Sequence, residues 1–165
     1  MPSIEPPDSH HLSAASGWLD LGNMREAAAE LERVSLARQG HPAVLEVRWR
    51  ILAETKSWSA ALEVARELVA AAPEEPSGWI DQAFALHELN RTREAWELLL
   101  PIAKKFPKLS IIAYNLACYA CQLQQPQEAR QWLAKAAALR GQEEIQRLAL
   151  GDKDLKPLWP EIQKW

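Results

Sequence analysis

The chain has no excess of positive charge: 19 lysines and arginines stand against 22 aspartates and glutamates in 165 residues, a formal net charge of −3. With no broad positive field to attract phosphate backbones, nucleic acid is not an expected partner. Long hydrophobic runs are also lacking. The longest apolar stretches, such as Leu98 to Ala103, fall far short of the roughly 20 residues that cross a bilayer. Met1 to His10 is Pro-rich and polar and offers no apolar run to serve as a signal or anchor. No membrane partner is expected, and the reading is cytoplasmic. Only two cysteines occur, Cys118 and Cys121, so no disulfide framework closes long loops, and reduced thiols fit that compartment. There is no Gly-rich phosphate loop, no nucleophile elbow and no His-Glu-x-x-His zinc helix. His10, His11, His41 and His87 are scattered and form no catalytic set. The expectations are no enzyme activity, no cofactor and no metal.

What is present is a period. Ala27, Ala61, Ala95 and Ala129 recur every 34 residues. The same spacing aligns Leu31, Ala65, Leu99 and Leu133 one helical turn later, and Leu21, Thr55, Leu89 and Leu123 just before each inter-helix turn. Small residues in the alanine column let the two helices of a hairpin approach closely, while larger residues three or four positions away fill the neighbouring grooves. One hairpin cannot bury its own apolar face; stacking on the next does so. The units run 8–41, 42–75, 76–109 and 110–143, between a flexible N-terminus of residues 1–7 and a C-terminal capping helix and tail, 144–165.

The pattern resembles that of the tetratricopeptide-repeat family. The third unit carries Trp79, Ala83, Leu86, Ala95, Leu99 and Pro107 at the family's marked positions, and the fourth Leu116, Ala117, Ala129, Leu133 and Ala136. The first keeps Ala15, Trp18, Gly22, Ala27 and Leu31. The second keeps Leu45, Leu52, Ala61 and Pro73, with the bulky Trp49 where a small residue is expected. The resemblance implies an all-α, right-handed helical solenoid of four helix-turn-helix repeats plus the capping helix.

Boundaries follow from the same reading. Pro42, Pro76 and Pro126 stand near helix starts, where a missing N–H costs nothing, and Asp8 and Ser110 are read as N-caps. Pro101 falls inside a helix, removes the bond to the Glu97 carbonyl and predicts a kink. Ile145, Leu148 and Ala149 share one face of the capping helix. Leu155, Leu158, Trp159 and Ile162, interrupted by Pro157 and Pro160, predict short turns packed on it; the alternative is that this tail reaches outward to a partner or a second copy.

In the family the first helix of each repeat lines a concave face. Carried over by resemblance, that face holds Glu46, Arg50 and Glu54 in the second unit and Ile80, Asp81, Phe84 and His87 in the third. The fourth adds Ile111, Tyr114, Asn115, Cys118 and Gln122. Ile80, Phe84, Ile111 and Tyr114 would form an apolar patch, flanked by Glu46, Glu54, Asp81 and Glu88 with Arg50 as the one base. Such a groove suits a protein or peptide segment with apolar anchors and Lys or Arg. The bland reading is that Phe84 and Tyr114 pack against adjacent helices. Carboxylate-gripping members of the family use Lys or Arg and Asn on this face; Asp81 and Val47 stand where those residues would be, which excludes that subclass. Cys118 and Cys121, mid-helix and without a strand before them, read as small-residue packing and not as a redox or zinc site. The function expected is a protein-binding adaptor. The alternatives are a small chaperone for a secreted client, a structural homo-oligomer and, less favoured, a thiol redox protein.

Overall fold

Four turns of one geometry punctuate the chain 34 residues apart. Gly22, Lys56, Asn90 and Gln124 all adopt left-handed backbone, with φ of 74°, 54°, 61° and 60°. At each turn that residue's N–H donates to the carbonyl three residues back. The next N–H reaches five back, from Asn23 to Trp18, Ser57 to Leu52, Arg91 to Leu86 and Gln125 to Ala120, at 2.8 or 2.9 Å. This pair of hydrogen bonds closes a helix C-terminus and launches the following helix at once. The period seen in the alanines is therefore also a period in the backbone.

The structure is a computed structural model that describes residues 3–165; Met1 and Pro2, part of the expected flexible N-terminus, lie outside the described residues. Among the described residues there is no strand. The helices are α1 (Asp8–Asp20), α2 (Met24–Glu32), α3 (Pro42–Glu54), α4 (Trp58–Ala71), α5 (Pro76–Glu88), α6 (Thr92–Lys105), α7 (Ser110–Gln122), α8 (Pro126–Arg140), α9 (Gln142–Gly151) and the short α10 (Trp159–Ile162). Tight 3-10 turns, Leu36–Arg38 and Lys153–Leu158, complete the order. Pro42, Pro76 and Pro126 each open a helix, as their missing N–H favours.

Two expected caps are corrected. The N-cap of α1 is Pro7, and Asp8 turns its carboxylate to Ser35, accepting from the backbone N–H at 2.8 Å and the hydroxyl at 2.7 Å. Those two bonds hold the Asp8 carboxyl below its ordinary pKa. The N-cap of α7 is Leu109, and Ser110 is already helical. Asn23 is a true cap, accepting from the Glu26 N–H at 3.2 Å. Pro101 lies within α6, which continues through it to Lys105.

The chain divides into two compact units, the first ending at Ala85 and the second comprising Leu86–Trp165. In the first, α1 pairs with α2 and α3 with α4, and α3 also lies against α1 and α2. Ala15, Leu19, Ala27, Leu31, Val44 and Ile51 make one core, with Ile4 packed partly buried on it. Leu45, Val64 and Leu68 make a second, and Trp49 packs there. This explains how an indole is tolerated at a small-residue position, although its Nε1 is buried without a hydrogen-bond partner. Close approach is clearest at Gly78 on α5, where a Cβ would sit 2.9 Å from the Val69 nitrogen on α4.

In the second unit α7 pairs with α8, α6 packs on α7, and α9 packs on α8. Ala95, Leu99, Ala129 and Leu133, all members of the repeating columns, are buried, and so are Ala61 and Ala65 in the first unit. Beyond α9 the tail folds back: Leu155, Leu158 and Ile162 are buried, and the Trp159 indole donates to the Ala149 carbonyl at 2.8 Å. Arg130 on α8 grips Glu161 with two bonds of 2.6 and 2.7 Å. On α9 itself Ile145 and Ala149 are buried, but Leu148, expected on the same face, is 39% exposed.

Candidate functional site

In the first unit the expected binding residues lie on α3 and α5. Glu46, Arg50 and Glu54 are exposed along α3. Glu46 accepts from the Ser77 hydroxyl at 3.2 Å, and Arg50 donates to Asp20 of α1 at 2.9 Å. The single base of this face is thus shared with an acid. On α5, Ile80, Asp81 and Phe84 are half-buried. The Phe84 ring meets Trp58 edge-on at 5.6 Å and Trp49 at 6.4 Å, so it is braced by its own unit. Burial pushes the Asp81 carboxyl up to about 7, helped by the neighbouring negative charge of Glu46. A carboxyl in that state gains from any cation that arrives beside it.

In the second unit the expected residues converge on one short segment. Asp152 accepts from the Tyr114 hydroxyl at 2.9 Å and from the Cys118 thiol at 3.4 Å through one oxygen, and from the Asp154 N–H at 3.0 Å through the other. The Asp154 carboxylate sits 2.8 Å from His87 Nε2, which donates to it, while His87 Nδ1 lies 2.9 Å from the Thr92 hydroxyl. The Gln122 amide donates to the Asp154 carbonyl at 2.9 Å. His87, Tyr114, Cys118 and Gln122 are therefore brought together, and what they hold is the chain's own tail. Asn115 is buried within α7, while Ile111 stays exposed at its start. Asp152 and Asp154 are the residues that sequence reasoning passed over: the tail showed only helical apolar spacing, and no local pattern marks two acids for distant donors.

The tail is not a loose flap. Burying Leu155, Leu158 and Ile162 stabilises the fold by about 1.5–3 kcal/mol each, a sum comparable to the roughly 5–15 kcal/mol that holds an ordinary domain together. The surface left open lies beside the tail. That surface is a cavity of about 880 Å³ between the start of α7 and the α9 to Asp154 segment, walled by Ile111, Tyr114 and Leu148. Arg140, Arg147 and Lys153 face Glu88, Asp152 and Asp154 around it.

Burial raises the Cys118 thiol well above its ordinary pKa, and Asp152 adds to the effect; Cys121 moves in the same direction, again mainly by burial. Both groups are protonated thiols at neutral pH, the opposite of a nucleophilic or metal-binding thiolate. Among the described residues no cluster of His, Cys, Asp and Glu has the arrangement of a metal site. No helix among them is long and apolar enough to cross a membrane.

Solved proteins share this arrangement of helices. A thermophilic tetratricopeptide-repeat protein of Thermus thermophilus, TTC0263, superposes with a TM-score of 0.76 over 94% of this chain and 82% of its own, at 19% identity. The chain has the all-α fold of the tetratricopeptide-repeat proteins. PilF of Pseudomonas aeruginosa gives a TM-score of 0.76 at 18% identity, covering 95% of this chain and 69% of its own. A MamA fragment from Desulfovibrio magneticus RS-1 gives 0.75 at 14% identity, over 98% and 96%. No protein-family model matches the sequence, and no curated protein matches it either. At these identities the likeness is one of tetratricopeptide-repeat architecture, and the chemistry of the surfaces is this chain's own.

Proposed function

We propose that this tetratricopeptide-repeat chain is a protein-binding module, and that the α3–α5 face of its first unit takes a peptide or protein segment bearing apolar and basic residues. The observation that carries this reading is Asp81. A carboxyl held near neutrality by burial and by Glu46 becomes fully charged, and attractive, when a lysine or arginine docks beside it. Exposed Glu46 neighbours that point and exposed Glu54 lies about two turns further along α3, Arg50 is engaged by Asp20, and half-buried Ile80 and Phe84 supply apolar contact. Phe84 is backed by two indoles and so presents a fixed surface, which lowers the ordering entropy of binding. The role needs no cofactor or catalytic group, and two free cysteines suit the cytoplasm as its place of action.

The test uses two fluorescein-labelled peptides of alternating leucine with lysine and of alternating leucine with glutamate. The lysine peptide should bind and the glutamate peptide should not. Glu46→Lys combined with Glu54→Lys should weaken the first by about tenfold or more. Equal binding of the two peptides, or indifference to the charge reversal, overturns the reading.

A further inference from the structure

On another part of the first unit, a second cavity of about 490 Å³ opens between α2 and α3. Its apolar lining is Ala28, Leu31, Ile51, Leu52 and, at the rim, Leu36. Leu36 is 93% exposed. A single exposed leucine is ordinary on a protein surface. This one differs in two respects. It stands directly beside an apolar hole, and the 3-10 turn that carries it is tied down at both ends.

The ties are specific. Ser35, just before Leu36, donates to Asp8 from both its N–H and its hydroxyl. Gln39, just after the turn, donates its amide to the Leu31 and Val34 carbonyls at 3.2 and 2.6 Å, and its side-chain oxygen accepts from the Arg48 guanidinium. Leu36 is thus a knob held in a fixed position, and little conformational entropy remains to be lost when it docks.

We propose that this surface is an isologous contact between two copies of the chain, with Leu36 of each entering the cavity of the other. Knob and hole lie together on one patch, and a two-fold axis requires that the patch complement itself. The charges meet the same requirement. A patch docking on its own copy repels itself if it carries a net charge; here the cavity lining holds one acid, Glu32, and one base, Arg48, and Arg38 on the adjoining turn is offset by the Asp8 carboxylate. The patch is small, so the association is weak and shows only at high concentration.

Sedimentation equilibrium on the full chain decides it. From about 10 μM to about 1 mM, the range in which a small contact responds, the apparent mass should rise from 18.6 kDa towards twice that value. Leu36→Asp should shift the midpoint upward by about tenfold or more. Leu21→Asp, at another solvent-facing leucine, 77% exposed and outside the cavity, should leave it unchanged. Far-ultraviolet circular dichroism checks that both variants keep their helices. A mass of 18.6 kDa throughout overturns the proposal, and so does self-association that Leu36→Asp leaves intact. Lysine-peptide binding is expected to survive in Leu36→Asp, because the α3–α5 face does not include this residue.

Discussion

The Tyr114 hydroxyl donates to the Asp152 carboxylate at 2.9 Å, joining the middle of α7 to the first residue beyond α9. The same carboxylate takes the Cys118 thiol and the Asp154 N–H, so one side chain organises the start of the tail. Asp152→Ala leaves a half-buried hydroxyl and a buried thiol without their acceptor. The expected cost is about 1–3 kcal/mol, and Tyr114→Phe, which removes one donor, should cost about 0.5–1.5 kcal/mol. Urea unfolding monitored by circular dichroism measures both. Parental stability in Asp152→Ala would mean that the tail is held by its leucines alone.

The left-handed turns give a prediction of opposite sign. Gly22 bears φ of 74° without strain, and a Cβ added there meets nothing within 4 Å, so Gly22→Ala tests backbone conformation alone. Its expected cost is about 1 kcal/mol. Lys56 and Gln124 already carry that strain at φ of 54° and 60°. Gln124→Gly should therefore stabilise the second unit by a few tenths of a kcal/mol to about 1 kcal/mol, the relief of left-handed strain offset by the greater freedom of glycine when unfolded. A lower urea midpoint for Gln124→Gly would contradict this account.

These turns also mark what the sequence made legible. The alanine columns could be read because close helix approach leaves a small residue at a fixed period, and all four alanines are fully buried. The turns share that period but only one of them contains glycine, so their geometry was hidden by side-chain identity. Trp49 is bulky where the pattern asks for a small residue, and its accommodation rests on packing with Val64 and Leu68 of α4, which its own column does not reveal. Asp8 reads the same whether it caps its own helix or accepts from Ser35. The clasp of Asp152 and Asp154 was not legible at all: their partners Tyr114 and His87 lie 38 and 67 residues away, and nothing local distinguishes such acids from solvated ones.

Asp81 makes stability depend on pH in an unusual direction. Its carboxyl rises from an ordinary value of 3.8 in the unfolded chain to about 7 in the folded one, through burial and then Glu46. Below 3.8 both states hold the proton and no penalty exists. Between the two values the unfolded chain has released it and the folded chain keeps it, so stability falls as pH rises and levels off above about 7. Asp81→Asn removes that slope. The variant should match the parent near pH 4 and exceed it at pH 8, by at most about 4 kcal/mol. Carboxylates away from Asp81 act on both proteins alike, so the difference between their urea-unfolding curves isolates this group together with its neighbour Glu46; no divergence with pH would place Asp81 in water. Binding of the lysine peptide should strengthen over the same interval, since the charged form is the one it meets.

Thiol chemistry separates a packing role for the cysteines from a redox one. Burial and the Asp152 carboxylate both raise the Cys118 pKa in the folded chain, while the unfolded chain returns it towards 9.0. Because only the thiolate is alkylated, a raised pKa lowers the reactive fraction and slows the folded reaction at a given pH. Burial adds a steric barrier that acts in the same sense. Iodoacetamide at pH 8 should therefore label the native chain at about a tenth or less of the rate found in urea, read by intact-mass spectrometry. Asp152→Ala removes one of the raising influences, and Cys118 should then react faster while the helix content stays constant. Rapid labelling of the native parent would instead require an exposed, low-pKa thiol, and that would move the redox reading ahead of the packing one.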